Sequence, residues 1–219
     1  MSKIISVEGN IGSGKSTLLE NLREKYKDYP NVVFLKEPVD EWETIKDKNG
    51  STILEKFYSN QKRYSFSFQM LAFISRLVLL KKTIKEKPNA IIISERSLIT
   101  DKMVFAKMLY ESEKIEDVEY QIYLKWFDYF CSDYPINKII YIKSDPEICN
   151  KRINERGRLG ESEIPVSYLK SCNDYHTDMI YSLIEQNNVS ILELEGNVNI
   201  KKNKQHLEEW LKLVDSFIM

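Results

Sequence analysis

The stretch Lys3–Thr17, KIISVEGNIGSGKST, decides the architecture. Lys3–Glu8 is a short apolar run broken only by Ser6 and Glu8, and it reads as a strand. The next nine residues satisfy G-x-x-x-x-G-K-[ST] through Gly9, Gly14, Lys15 and Ser16. A helical pattern then runs from Lys15 to Lys27. Glycines let consecutive backbone N–H groups turn towards one anion. The helix behind them adds unpaired N–H groups and the positive end of its dipole. Lys15 can reach terminal phosphates, and the Ser16 hydroxyl can ligate Mg²⁺. Gly9, Asn10, Ile11, Gly12, Ser13, Gly14, Lys15, Ser16 and Thr17 therefore form a candidate triphosphate cradle.

Outward from this unit, β-branched runs alternate with long helical patterns. Strands are expected at Val32–Lys36, Ala90–Ser94, Lys138–Ile142 and Val189–Leu194. Helices are expected at Thr52–Lys87, Leu98–Tyr110, Val118–Cys131, Asp145–Glu155, Pro165–Asn187 and Lys204–Phe217. The runs IIIS and KIIYI are apolar almost throughout, as strands covered on both faces of a parallel sheet should be. The alternation implies a three-layer α/β fold with right-handed crossovers. Pro30, Pro88 and Pro135, each with an asparagine close by, read as helix-to-strand turns. No linker divides the chain, so residues 1–219 are expected to form one domain. The polar, glycine-containing segment Arg156–Glu163, RGRLGESE, falls between two helical patterns and reads as a mobile lid, spanning about 152–164.

At 219 residues the chain can bury a core without a disulfide or metal staple. Its 32 Lys+Arg against 33 Asp+Glu, a net charge of −1, argue against a protein that tracks nucleic-acid phosphates. With 42% hydrophobic and 30% charged residues, general disorder is excluded. Cys131, Cys149 and Cys172 are odd in number and unclustered, which suits reduced thiols rather than a disulfide framework or zinc site. No run reaches the roughly 18 apolar residues of a membrane span, and the N-terminal run does not have the form of a signal peptide. The expectation is a cytoplasmic protein with neither nucleic acid nor membrane as partner.

Several side chains stand where an open α/β sheet meets its ligand, at the carboxyl ends of strands. The third strand ends IIISERS, placing Glu95 there with Arg96 next to it. A guanine-reading NKxD motif is missing, since Asn137-Lys138 is followed by two isoleucines, which disfavours a GTPase. Glu37-Pro38-Val39 follows VVFLK, so Glu37 can accept a proton from an alcohol attacking a γ-phosphate, or else is a solvated glutamate before a proline turn. Trp42 follows closely and suits the wall of a core or pocket. Tyr58–Arg76 is dense in aromatics, with Phe68, Ala72 and Phe73 near one helical face and Gln69 and Arg76 two turns apart. That spacing alone also fits a buried amphipathic helix. Arg152, Arg156 and Arg158 form R-x-x-x-R-x-R ahead of Glu161 and Glu163. They can converge on a phosphate, or form a solvated basic helix end.

Taken in order, GNIGSGKST, EPVDEW, Tyr58 followed by SFSFQ, Ser75-Arg76, SERS followed by Asp101 and Phe105, RGRLGESEIP and LEGNVNI resemble the deoxyribonucleoside kinase family, of the deoxycytidine/deoxyguanosine/deoxyadenosine kinase type. The resemblance covers almost the whole chain. It implies a P-loop kinase fold, with a five-stranded parallel sheet flanked by helices and an arginine-rich lid. It implies transfer of the γ-phosphate of ATP, with Mg²⁺, to a deoxyribonucleoside 5′-hydroxyl. By the same resemblance Glu37 would be the general base, and Arg96 would hold Glu37 or the phosphate. Glu95 would act at Mg²⁺ and its waters beside Ser16, or as proton acceptor. Tyr58 and Glu161 would bond the sugar 3′-hydroxyl. Phe68 and Phe105 would sandwich the base, bordered by Trp42 and Leu54, and Gln69 would read its edge. Arg152, Arg156 and Arg158 would close on the donor, and the segment from Glu195 through Asn197 to Asn199 would line its base.

Arg76 and Asp101 match the pair found in members favouring deoxycytidine and purine deoxynucleosides, where thymidine-favouring members carry apolar residues. The sequence departs from the family after Asp101, with Lys102-Met103 in place of the common Arg-Tyr. The resemblance also implies a homodimer through Gln61–Lys85 and the helix around Val118–Cys131. Two rivals are a nucleoside monophosphate kinase of the thymidylate kinase type and a non-catalytic nucleotide-binding protein.

Overall fold

The structure, a computed structural model, describes residues 2–158, 160–161, 164–186 and 189–218. Five strands, β1 (Lys3–Glu8), β2 (Val32–Leu35), β3 (Ile91–Glu95), β4 (Lys138–Lys143) and β5 (Ser190–Glu195), form an all-parallel sheet in the order β2-β3-β1-β4-β5. The helices are α1 (Lys15–Lys25), α2 (Val39–Trp42), α3 (Ile53–Ser59), α4 (Gln61–Glu86), α5 (Leu98–Thr100), α6 (Lys107–Glu111), α7 (Asp117–Cys131), α8 (Pro146–Arg156), α9 (Val166–Glu185) and α10 (Lys204–Ile218). A π turn, Asp101–Ala106, joins α5 to α6. The expected α/β architecture is thus observed.

Successive residues of β1 serve opposite faces, as a period of two demands. Ile5 and Val7 pack with Ile93 and Ile140 beneath α1 and α10, which contribute Leu18, Leu22, Trp210 and Val214. Ile4 packs with Ile92 and Ile139 beneath α4, α7 and α9, which contribute Phe73, Leu77, Tyr123, Phe127 and Met179. Each such side chain contributes about 1.5–3 kcal/mol on burial. Because β1 is central, its carboxyl end and the glycine turn that follows open at the middle of the sheet. The ends of β2 and β3 lie to one side and those of β4 and β5 to the other.

Two helical expectations are modified. The pattern over 52–87 is two helices that part at Asn60. Thr52 and Glu55 form a reciprocal cap at the start of α3. Asn60, at φ −150° and ψ 78°, accepts a hydrogen bond from the Arg63 N–H and so begins α4. An asparagine side chain that satisfies nearby backbone competes with helix continuation. The pattern over 98–110 is not α-helical throughout, since it contains the π turn.

Candidate active site

A cavity of about 740 Å³ opens along the carboxyl ends of the strands. Its first wall is the loop from Ile11 to Thr17. The loop lies hard against its surroundings. A Cβ on Gly9, at φ 141°, would sit 2.4 Å from the Ile142 carbonyl oxygen, and one on Gly12, at φ 79°, would sit 2.6 Å from that of Cys149. Gly9 and Asn10 brace the turn from behind rather than lining the cavity. Asn10 donates to the Leu169 carbonyl at 2.8 Å and accepts from the Ile11 N–H at 2.8 Å. Lys15 Nζ donates to the carbonyls of Gly9 at 3.0 Å and Asn10 at 2.7 Å. Burial, followed by the charge of Arg96, lowers its pKa to about 7 against the opposing pull of Glu95 and Glu37.

Ser16 Oγ donates to Glu95 Oε1 at 2.6 Å. This places a hydroxyl and a carboxylate, both hard oxygen donors, side by side next to the phosphate loop. They fit Mg²⁺, which takes one or two protein oxygens and keeps phosphates and waters for the rest.

Glu37 stands beyond β2, with its side chain 21% exposed. Its Oε1 accepts from Arg76 Nη2 at 3.2 Å and lies 3.3 Å from Arg96 Nε. Burial raises its pKa, but Arg96, Arg76, Lys15 and Arg158 outweigh that and hold the carboxyl below its ordinary range. Arg76 also donates to Asp101 at 2.9 Å and to the Glu95 carbonyl at 2.7 Å. Arg96 also donates to the Gly9 carbonyl at 2.9 Å and lies 4.8 Å over the Phe105 ring. Two arginines therefore tie the carboxylate to both ends of the cavity.

At the far end the aromatic segment supplies walls. Phe68 meets the Trp42 ring edge-on at 5.3 Å and stacks on Phe57 at 4.7 Å. Trp42 is fixed by donating to Ser75 Oγ at 2.9 Å. Leu54, Gln69, Asp101 and Phe105 line the same space. Burial raises the Tyr58 pKa, so its phenol stays a donor. Phe57 and Tyr168 also line the cavity; the sequence reading missed them because both look like ordinary core aromatics.

On the lid side, Arg156 and Arg158 both pair with Glu161, Arg158 at 3.0 Å. Arg152 reaches the cavity but donates to three carbonyls, those of Ser13 at 3.2 Å, Asn197 at 3.3 Å and Val198 at 3.1 Å. Leu159, Ser162 and Glu163 of the expected lid lie outside the described residues. The lining after β5 is formed by Val198–Lys201. Glu195 and Asn197 shape that loop from behind, as Glu195 accepts from the Asn197 N–H at 2.9 Å and Asn197 bonds Asp145.

A phosphate-binding turn that shares one cavity with a charged carboxylate and an aromatic slot defines a P-loop phosphotransferase. The sequence comparisons refine the class. The deoxynucleoside kinase profile matches residues 5–219. Human (Homo sapiens) deoxycytidine kinase is 34% identical over an alignment covering 96% of this chain and 90% of that protein. A probable deoxycytidine kinase of fowlpox virus is 35% identical over 99% of this chain and 88% of that protein. The mitochondrial deoxyguanosine kinase of Xenopus laevis is 27% identical over 99% and 89%. The chain belongs to the deoxynucleoside kinase family, whose members are ATP-dependent phosphotransferases.

Proposed function

We propose that this chain transfers the γ-phosphoryl group of ATP to the 5′-hydroxyl of a deoxyribonucleoside in nucleotide salvage, taking deoxycytidine and purine deoxynucleosides ahead of thymidine. The observation that carries the reading is the single cavity in which Lys15, Glu37 and Gln69 all take part. The bond from the 5′-oxygen to the γ-phosphorus forms as the bond to the bridging oxygen breaks; the hydroxyl proton passes to Glu37 and ADP leaves. Arg96 steadies Glu37 and the charge that develops. Lys15 grips the terminal phosphates. Tyr58 and Glu161 hold the 3′-hydroxyl, and Phe68 and Phe105 flank the base. Arg156 and Arg158 exchange Glu161 for donor phosphates. Ser16 and Glu95 would hold Mg²⁺, which when bound neutralises phosphate charge. Among the described residues no group of three or more His, Cys, Asp or Glu could hold a metal ion by itself.

The base preference rests on the Arg76–Asp101 pair, which keeps polar groups beside the base edge and leaves little apolar room for a 5-methyl group. The whole chain acts as one domain. Exposed apolar side chains on α4 and α7, among them Val78, Val118, Trp126 and Tyr129 (74% exposed), support a homodimer through these helices; a sedimentation mass of one chain argues against it. The same reading places its action in the cytoplasm. None of the described helices is long and apolar enough to cross a membrane.

The decisive assay offers labelled ATP with each of the four deoxynucleosides, their ribo-analogues and deoxycytidine monophosphate. Transfer to deoxycytidine and at least one purine deoxynucleoside is expected. Preference for the monophosphate would move the chain to the monophosphate kinases, and a thymidine kcat/KM tenfold above the other three would overturn the base preference. Binding without transfer to any acceptor would favour a nucleotide sensor.

Lys15 supplies a second check. With its pKa lowered to about 7, it is largely neutral at pH 8 in the free protein. A bound polyphosphate restores its charge, so ATP binding at pH 8 should take up about 0.5–1 proton. Calorimetry in buffers of different ionisation enthalpy measures this directly, and no uptake would mean that Lys15 does not change charge when ATP binds.

A further inference from the structure

Helix α9 contributes a group that the mechanism above leaves unused. His176, one of two histidines in the chain, is fully buried. Its Nδ1 lies 2.6 Å from the Cys172 carbonyl oxygen and its Nε2 lies 3.1 Å from Arg96 Nη1. A carbonyl only accepts and a guanidinium only donates. The ring must therefore carry its hydrogen on Nδ1 and offer a lone pair at Nε2, which is one defined neutral tautomer. Burial, followed by the Arg96 charge, pushes its pKa well below the ordinary histidine range, so protonation does not compete. The ring also meets Phe105 edge-on at 6.0 Å.

Arg96 is a side chain that needs holding. Its backbone lies at φ 63°, in the left-handed region that a non-glycine residue adopts at a cost. Its guanidinium has four neighbours: the Gly9 carbonyl, Glu37, the Phe105 face and His176. Gly9 belongs to the phosphate turn, Glu37 to the reacting end and Phe105 to the base slot. The imidazole is fully buried in the scaffold, locked by its own helix through Cys172, and unlike Glu37 and Phe105 it does not line the cavity.

We propose that His176 is a positioning residue for phosphoryl transfer, its Nε2 lone pair fixing the Arg96 guanidinium between the glycine turn and Glu37. The inference rests on the role given to Arg96 above. His176→Phe keeps a ring against Phe105 and deletes the acceptor. His176→Gln restores an acceptor oxygen at about the reach of Nε2. The Phe variant should lose about 10–100-fold in kcat with deoxycytidine, the scale of loss when a group is misplaced by about an ångström. KM for deoxycytidine and ATP should move less than about threefold, since ground-state binding is kept. The Gln variant should return to within about fivefold of wild type. Equal losses in both variants, a loss confined to KM or thermal midpoint, or a Phe variant within twofold of wild type would overturn the proposal. The tautomer is read without turnover by ¹⁵N NMR of the imidazoles at pH 7, with His206→Gln for assignment. Protonated Nδ1 with bare Nε2 supports the assignment; the other tautomer or an imidazolium overturns it. A wild-type protein that phosphorylates no deoxynucleoside would sink the functional reading, while the spectrum would still decide the His176–Arg96 bond.

Discussion

Glu37→Gln should lower kcat by at least about 10²-fold, the lower range for a positioned general base. The substitution preserves shape and leaves an oxygen for Arg76 and Arg96, so the nucleoside KM should change little. It removes the proton acceptor and the negative charge that Arg96, Arg76 and Arg158 surround, with Lys15 beside them. Those cations overcome burial and keep the carboxylate ionised at neutral pH, so wild-type activity should fall only when pH drops below the ordinary carboxylate range. A base held so acidic is weak. It suffices because the proton need move only as the loose phosphoryl-transfer transition state develops, where positioning and charge stabilisation do most of the work. A Glu37→Gln variant within tenfold of wild type would pass the acceptor role to Glu95, the carboxylate at the end of β3 that lines the same cavity.

Arg76→Met should produce the largest loss of stability. Arg76 is buried with Asp101, their side chains 7% and 3% exposed, and it bridges three acceptors. Removing one partner from such a group costs about 3–5 kcal/mol because an uncompensated charge stays behind. In a chain of this size that is roughly 6–20 °C in Tm. The loss has a pH signature. Burial pushes the Asp101 carboxyl up to about 6 even with Arg76 beside it. A carboxyl whose folded pKa is raised opposes folding when ionised, and this opposition fades as pH falls through that value. Without Arg76 it grows, so the Tm deficit should be widest at pH 7–8 and narrow towards pH 5. Replacing Asp101 as well, in Arg76→Met/Asp101→Leu, should recover part of the Tm, since no orphan charge remains. Scanning calorimetry of the two variants and wild type checks all three points; a double variant less stable than Arg76→Met would refute the orphan-charge account.

The three inner strands were legible because each is a local β-branched run buried on both faces, and the half-buried edge strands β2 and β5 from their short apolar runs alone; both conditions are written entirely in neighbouring residues. The phosphate turn was legible for the same reason. The break at Asn60 and the π turn were not, because helical periodicity is nearly the same on either side of both. In the site, the motif order named Glu37, Arg76, Arg96 and Asp101, but that one arginine touches both carboxylates depends on positions 37, 76 and 101, which only the folded sheet assembles. Arg152 looked like a phosphate ligand from its spacing, while its three carbonyl partners come from two distant loops. His176 gave no signal at all. It sits in an amphipathic pattern, and its partner is 80 residues away.

The π turn at Asp101–Ala106 bears on how the pocket can be remodelled. Such a turn is an α-helix with one surplus residue. Asp101 and Phe105, both within it, line the cavity. Deleting a residue there would restore ordinary helical bonding and re-aim only the side chains within the turn, because the helix that follows keeps its face towards the core. Both flanking helices could stay docked. Insertion and deletion, more than exchange of one side chain for another, are thus the changes by which this wall can most readily take a new outline.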